Sequence, residues 1–142
     1  MKRKHAKRLV FFQGAYDLIN AGHIRAIKLA KKQGDYLVIG LNSDELMSWY
    51  KREPIVPYNQ RAEIIDSIKW VDEIIECHEP SAFRYLKQLK AKVYVLTDEW
   101  KEQQKKSIKY IESIGGQVVF SPRWSDILCS TDLRAKIIEG GK

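Results

Sequence analysis

Ten residues near the N-terminus, Gly14-Ala15-Tyr16-Asp17-Leu18-Ile19-Asn20-Ala21-Gly22-His23, hold the residue types that phosphoryl chemistry uses. They combine a glycine-containing turn with a helix entrance. A helix entrance offers unpaired backbone N–H groups and the positive end of a dipole, and both suit a phosphate. Asn20 fits the N-cap. His23 falls in the first helical turn, where a ring N–H would join those donors. The apolar run Leu9-Val10-Phe11-Phe12 comes before the stretch and the helix-like residues 24–33 follow it. The ten residues therefore lie beyond the carboxyl end of a strand, where open α/β sheets bind ligands.

Further candidates lie in later loops. Lys51 and Arg52 sit in an extended, proline-bearing segment, residues 51–57. Arg61 lies towards the buried side of a helix, so it needs an anionic partner, either an acidic side chain or a ligand. Arg123 precedes Trp124, and Ser130 or Thr131 opens a final helix, where a hydroxyl and free N–H groups make an anion site. Taken singly, each has an ordinary structural explanation: a cap, a solvated charge, a surface stacking pair. Neither a Walker A loop nor a dinucleotide-type G-x-G-x-x-G occurs.

The totals set the frame. With 142 residues, 44% apolar and 30% charged, the chain suits one soluble globular domain. No apolar run is long enough to span a membrane, and the charged start lacks the apolar stretch of a secretory signal. Cys77 and Cys129 are too few and too far apart for a disulfide framework or a zinc knuckle, and fit thiols in a reducing cytoplasm. A net charge of +7 favours anionic partners. Much of it falls in residues 1–8, expected as a basic tail ahead of a domain over residues 9–142. No RNP-like aromatic motif occurs, so phosphorylated metabolites are preferred to nucleic acid as partners.

The elements that must position these residues alternate. Strands are expected at residues 9–12, 36–41, 71–75, 93–96 and 117–120. Helices are expected at 24–33, 45–50, 60–69 (capped by Asn59), 81–90 and 101–114, with a last one from Ser130. Gly34 fits the residue just past the first helix. This pattern predicts a Rossmann-like, doubly wound α/β fold, with five parallel strands and helices on both faces.

Taken together, these loops resemble the cytidylyltransferase-like nucleotidylyltransferases, in particular the glycerol-3-phosphate cytidylyltransferases and the nucleotidylyltransferase domain of heptose-phosphate enzymes. Residues 14–23 resemble the motif G-x-F-D-x-x-H-x-G-H, with Asn20 in place of its first histidine. Asn42-Ser43-Asp44, Val56-Pro57-Tyr58-Asn59-Gln60-Arg61, Trp70-Val71-Asp72-Glu73-Ile74-Ile75, Thr97-Asp98-Glu99-Trp100 and Cys129-Ser130-Thr131 are similar to later motifs. Thr97 stands where the family has glycine, and the W-x-G-K pattern is absent after Trp100.

The resemblance implies transfer of a CMP or AMP group from CTP or ATP to a phosphorylated polyol or sugar, with Mg²⁺ and release of pyrophosphate. It implies a catalytic set of His23, Asn20, Lys51 and Arg123. It also implies nucleotide contacts from Gly14, Tyr16, Asp17, Gly22, Arg61, Asp98, Glu99, Ser130 and Thr131, no protein-held metal, and a cytoplasmic homodimer. The alternative is a nucleotide-binding module whose chemistry is weakened by Asn20.

Overall fold

Buried side chains alternate along the first strand, β1 (Leu9–Gly14), and that alternation organises the layers. A computed structural model describes residues 2–127 and 129–140. Leu9 and Phe11 face one side with Tyr36, Val38, Tyr94 and Leu96. Val10 and Phe12 face the other with Leu37, Ile39, Leu41, Val93 and Val95. A strand covered on both faces reads as an unbroken apolar run, which is why β1 and β2 (Tyr36–Asn42) stand out in the sequence.

The remaining strands are β3 (Glu73–Cys77), β4 (Val93–Thr97) and β5 (Gln117–Ser121). They form one parallel sheet in the order β3-β2-β1-β4-β5. Helices α1 (Ala21–Lys31) and α3 (Tyr58–Asp66) cover one face through Ile27, Ala30 and Ile65. Helices α4 (Phe83–Leu89) and α5 (Lys105–Ser113) cover the other through Leu86, Leu89 and Ile111. Burying each of these Ile and Leu side chains contributes about 1.5–3 kcal/mol. The short helix α2 (Asp44–Tyr50) follows β2, and α6 (Ser130–Gly140) follows β5.

Several expectations are corrected in detail. Asn59 does not cap α3. The helix begins at Tyr58, two residues earlier than expected, and the Asp44 carboxylate accepts the Tyr58 N–H at 3.0 Å, while Asn59 Oδ1 accepts the N–H of the next residue, Gln60. Lys32 is the C-cap of α1, and Gly34 is needed for another reason, since a Cβ there would collide with the Arg8 carbonyl. β3 starts at Glu73, two residues later than expected. Residues 101–104 form turns, so α5 starts at Lys105.

The N-terminal segment is bound to the domain. Arg3 pairs with Glu73, and the Lys7 and Arg8 N–H groups both donate to the Asp35 carboxylate at 2.9 Å. Lys2 and Lys4 remain exposed.

Candidate active site

β1 and β4 are neighbours, yet β1 continues to β2 on one side and β4 to β5 on the other. Their carboxyl ends therefore flank a topological switch point, where such sheets open a crevice. A cavity of about 220 Å³ lies there. Its walls include the turn after β1, Thr97 at the end of β4, Glu99 and Trp100 beyond it, Lys51 and Arg52 after α2, and Ser130 at the start of α6.

The turn after β1 is held in an unfavourable conformation. Tyr16 and Leu18 have φ values of 52° and 53°, in the left-handed region that side chains other than glycine avoid. Each costs on the order of 1–2 kcal/mol, so surrounding contacts must impose them. The Tyr16 ring packs edge-on to Phe12 and lies 5.6 Å from the His23 ring centroid. The Ala15 carbonyl accepts from Arg61 at 2.7 Å. The Ser130 hydroxyl donates to the Asp17 and Leu18 carbonyls at 2.7 and 3.3 Å. Gly14 leaves room for this bend, since a Cβ there would lie 3.0 Å from the Tyr16 ring.

The same turn presets His23. The Asn20 backbone N–H donates to His23 Nδ1 at 3.1 Å, while Asn20 Oδ1 accepts the Gly22 N–H at 2.9 Å. A backbone N–H can only donate, so Nδ1 is the unprotonated nitrogen and Nε2 carries the proton. Burial pushes the His23 pKa down, and the nearby charge of Lys51 pushes the same way against that of Asp17. The result is a neutral imidazole on the cavity wall whose Nε2–H edge is free of that backbone bond. Asn20 also donates from Nδ2 to the Leu18 carbonyl at 3.2 Å, so its side chain is engaged by the helix entrance.

Two acid–arginine pairs brace the rim. Asp17 is 3% exposed and accepts from Arg52 at 2.8 Å and from the Ile55 and Val56 N–H groups, each at 2.9 Å. Burial disfavours its charge, but the Ile55 N–H, the Arg52 guanidinium and the Val56 N–H outweigh burial and hold its pKa below the usual carboxylate value. Arg61 is fully buried and donates to the Val56, Ala15 and Asn42 carbonyls at 2.7–2.9 Å. Its anionic partner is Asp44, at 2.7 Å. Both alternatives for Arg61 were open from sequence, and the acidic side chain takes the place of a ligand.

Among the described residues no group of three or more His, Cys, Asp or Glu side chains could hold a metal ion, and no helix is long and apolar enough to cross a membrane.

Residues 11–134 match the family described as cytidylyltransferase-like. The chain belongs to that family. The cytidylyltransferase-like domain is 31% identical over 119 residues to the bifunctional protein HldE of Geobacter metallireducens, covering 82% of this chain and 24% of that one. It is 30% identical over 118 residues to HldE of Gluconobacter oxydans, with 82% and 25% covered. The chain thus spans about a quarter of the length of these curated relatives. Among solved structures, the lipopolysaccharide core biosynthesis protein from Thermoplasma volcanium superposes with a TM-score of 0.72 at 26% identity, over 83% of this chain and 98% of that one.

Of the residues singled out from sequence, Gly14, Tyr16, Asp17, His23, Lys51, Glu99 and Ser130 line the cavity of the cytidylyltransferase-like domain. Asn20, Gly22, Arg61, Asp98, Arg123 and Thr131 are not part of that lining. Asn20 and Gly22 form the helix cap, and Arg61 ties loops together. Asp98 and Thr131 are exposed. Arg123, also exposed, lies 3.1 Å from Cys129 Sγ. Gln13, Asn42, Tyr50 and Trp100 also line the cavity; Asn42 and Trp100 belong to stretches with family-like motifs, but none of the four stands out from sequence as a site residue. Gln13 carried a signal, being a polar residue that ends an otherwise apolar strand directly before Gly14.

Proposed function

We propose that this domain transfers a nucleotidyl group, CMP or AMP, from an NTP to the phosphate of a small polyol or sugar of the glycerol-3-phosphate or heptose-phosphate type, releasing pyrophosphate. The observation that carries the reading is His23, a neutral imidazole with its proton fixed on Nε2, standing on the wall of the switch-point cavity. An acceptor phosphate oxygen is already ionised at neutral pH, so no protein nucleophile is required. Catalysis then consists of positioning and of stabilising charge on the α-phosphate.

In this reading His23 Nε2–H donates to an α-phosphate oxygen as charge builds in the transition state. Lys51 and Arg52 offer positive charge to the acceptor phosphate. The α6 entrance at Ser130 and Thr131 meets the β and γ phosphates, with Arg123 serving any part of the triphosphate that extends past the cavity. Asn20 acts on His23 through the helix cap and not through a charge of its own. Arg61 acts by holding Ala15, Asn42 and Val56 in register. Glu99 and Thr97, linked by a 3.2 Å hydrogen bond, border the nucleoside side. Asp17 is committed to three protein donors, so the donor set fits a Mg²⁺ carried by the triphosphate and its waters. Such an ion would neutralise triphosphate charge.

Pyrophosphate release with CTP, ATP, UTP and GTP against a panel of polyol and sugar phosphates tests the reading. Release with one pair supports it. Binding without release from any pair overturns it in favour of a nucleotide-binding module. We further propose a homodimer, favoured by the 75% exposed Trp49 and 53% exposed Ile55, which share one surface groove. Sedimentation should show Trp49→Lys to be monomeric, and an unchanged dimer would remove this surface from the interface.

A further inference from the structure

Part of the cavity lining differs in hydrogen-bonding character from the cationic groups beside it. Gln13 donates from Nε2 to Asn42 Oδ1 at 2.9 Å and to the Glu79 carbonyl at 3.0 Å. A backbone carbonyl can only accept, so it fixes which end of the amide is nitrogen. Gln13 Oε1 is then the other end. It is buried and has no hydrogen-bond partner among the described residues.

The neighbours extend this corner. Asn42 Nδ2 donates to the Tyr50 hydroxyl at 2.9 Å, which occupies a lone pair of that oxygen and not its proton. Trp100 packs edge-on against Tyr50, with ring centroids 6.1 Å apart, and lines the same cavity. Arg52 keeps its terminal nitrogen on Asp17, while its Nε–H is buried without a partner among the described residues.

These unpaired atoms ask for complementary ligand groups, because a buried polar atom left unpaired is costly. An ionised phosphate has only acceptor oxygens, so it suits Arg52 Nε–H and is repelled by Gln13 Oε1. Oε1 needs a donor. A hydroxyl supplies one without charge, whereas an ammonium would bring a cation next to Lys51 and Arg52. The Tyr50–Trp100 pair offers an aromatic edge for the carbon skeleton between the two groups. A phosphorylated polyol or sugar with a free hydroxyl satisfies all three conditions together.

We infer that Gln13 is a specificity-determining residue for the acceptor, its Oε1 receiving a proton from one acceptor hydroxyl while Arg52 Nε–H takes the phosphate. This assignment rests on the nucleotidyl-transfer reading and names the feature of the acceptor that the domain selects. Choline phosphate, which has no donor, should be refused.

The test uses glycerol-3-phosphate, hexose phosphates and heptose phosphates, each beside its single-deoxy analogues, with wild type and Gln13→Met. Pyrophosphate release and direct ligand binding by NMR are measured in parallel. Gln13→Met keeps the volume and removes the acceptor oxygen. It should raise the KM of the preferred acceptor about tenfold or more, with the KM of the NTP unchanged. One deoxy analogue should lose a similar factor with wild type and nothing further with Gln13→Met. Should that variant fail to fold, the wild-type deoxy series decides alone. Deoxy analogues that all behave like their parents overturn the Gln13 assignment and leave nucleotidyl transfer standing. A hydroxyl preference in binding that Gln13→Met abolishes, with no pyrophosphate from any pair, upholds Gln13 and removes the transfer reaction. No binding of any compound overturns both.

Discussion

The turn between β1 and α1 and the start of α6 with the segment leading into it border the cavity, the latter through Ser130, but they are secured in opposite ways. In the first, two left-handed residues, a buried carboxylate and a histidine ring are each met by at least one protein contact. In the second, α6 has no buried residue among those described, and Ile137 and Ile138 are 65% and 61% exposed. Its ties to the body include the Ser130 hydroxyl and the exposed Arg25–Asp126 pair at 3.1 Å. Exposed ion pairs of that kind contribute little. The difference separates placement from grip. One wall is fixed by its own contacts, while the other is held by few; in the nucleotidyl-transfer reading proposed above, the first would place the reacting phosphate and the second would be organised by a bound triphosphate.

Breaking the braced wall should give the largest effects. Arg61→Met leaves three carbonyls and Asp44 without their partner, and should cost about 3 kcal/mol or more of stability in urea unfolding. A loss below about 1 kcal/mol would show that the brace is dispensable. Next, His23→Ala should lower kcat about 10²-fold or more, the usual scale for one transition-state donor. Unchanged turnover would take His23 out of the mechanism.

The same residue sets a pH dependence. Folding lowers the His23 pKa, so below its ordinary value near 6.5 the unfolded chain binds more protons. The stability from the neutral ring is fully present above that value and is lost as pH falls through the depressed folded pKa. His23→Gln should flatten this part of the stability profile. A profile identical to wild type would contradict the assignment.

On the less braced wall the effects shrink. Ser130→Ala removes the hydroxyl that donates to the Asp17 and Leu18 carbonyls, a link between α6 and the turn worth about 1 kcal/mol. It should raise the KM of the NTP several-fold and lower the melting temperature by only a few degrees, about 3–5 °C. Ile137→Lys should stay within about 0.5 kcal/mol of wild type. A large loss there would mean that α6 packs against something that these contacts do not include.

The braced wall was also the more legible. Asn20, Gly22 and His23 declare a cap by type and spacing, and the apolar runs of β1 and β2 declare a doubly covered sheet. Arg61 announced its need for an anion from its helix position, but not which one. Asp44 opens a different helix, α2, and only the tertiary fold brings its carboxylate to both Tyr58 and Arg61. That same outside carboxylate is why Asn59, a good cap by residue type, does not cap α3. Gln13 could not be assigned because its meaning lies in which amide atom is left over once Asn42 and Glu79 have taken the other. Side-chain type gives chemistry, but residual valence appears only in three dimensions.

The lock on His23 also bears on how this sequence can drift. The atom that holds the ring is the main-chain N–H of position 20, which every amino acid except proline provides. Substitutions at that position can exchange one capping side chain for another while the imidazole keeps the same tautomer. Histidine, threonine or asparagine there are thus interchangeable as far as the ring is concerned. The divergence at Asn20 touches a site whose decisive hydrogen bond is written in the backbone.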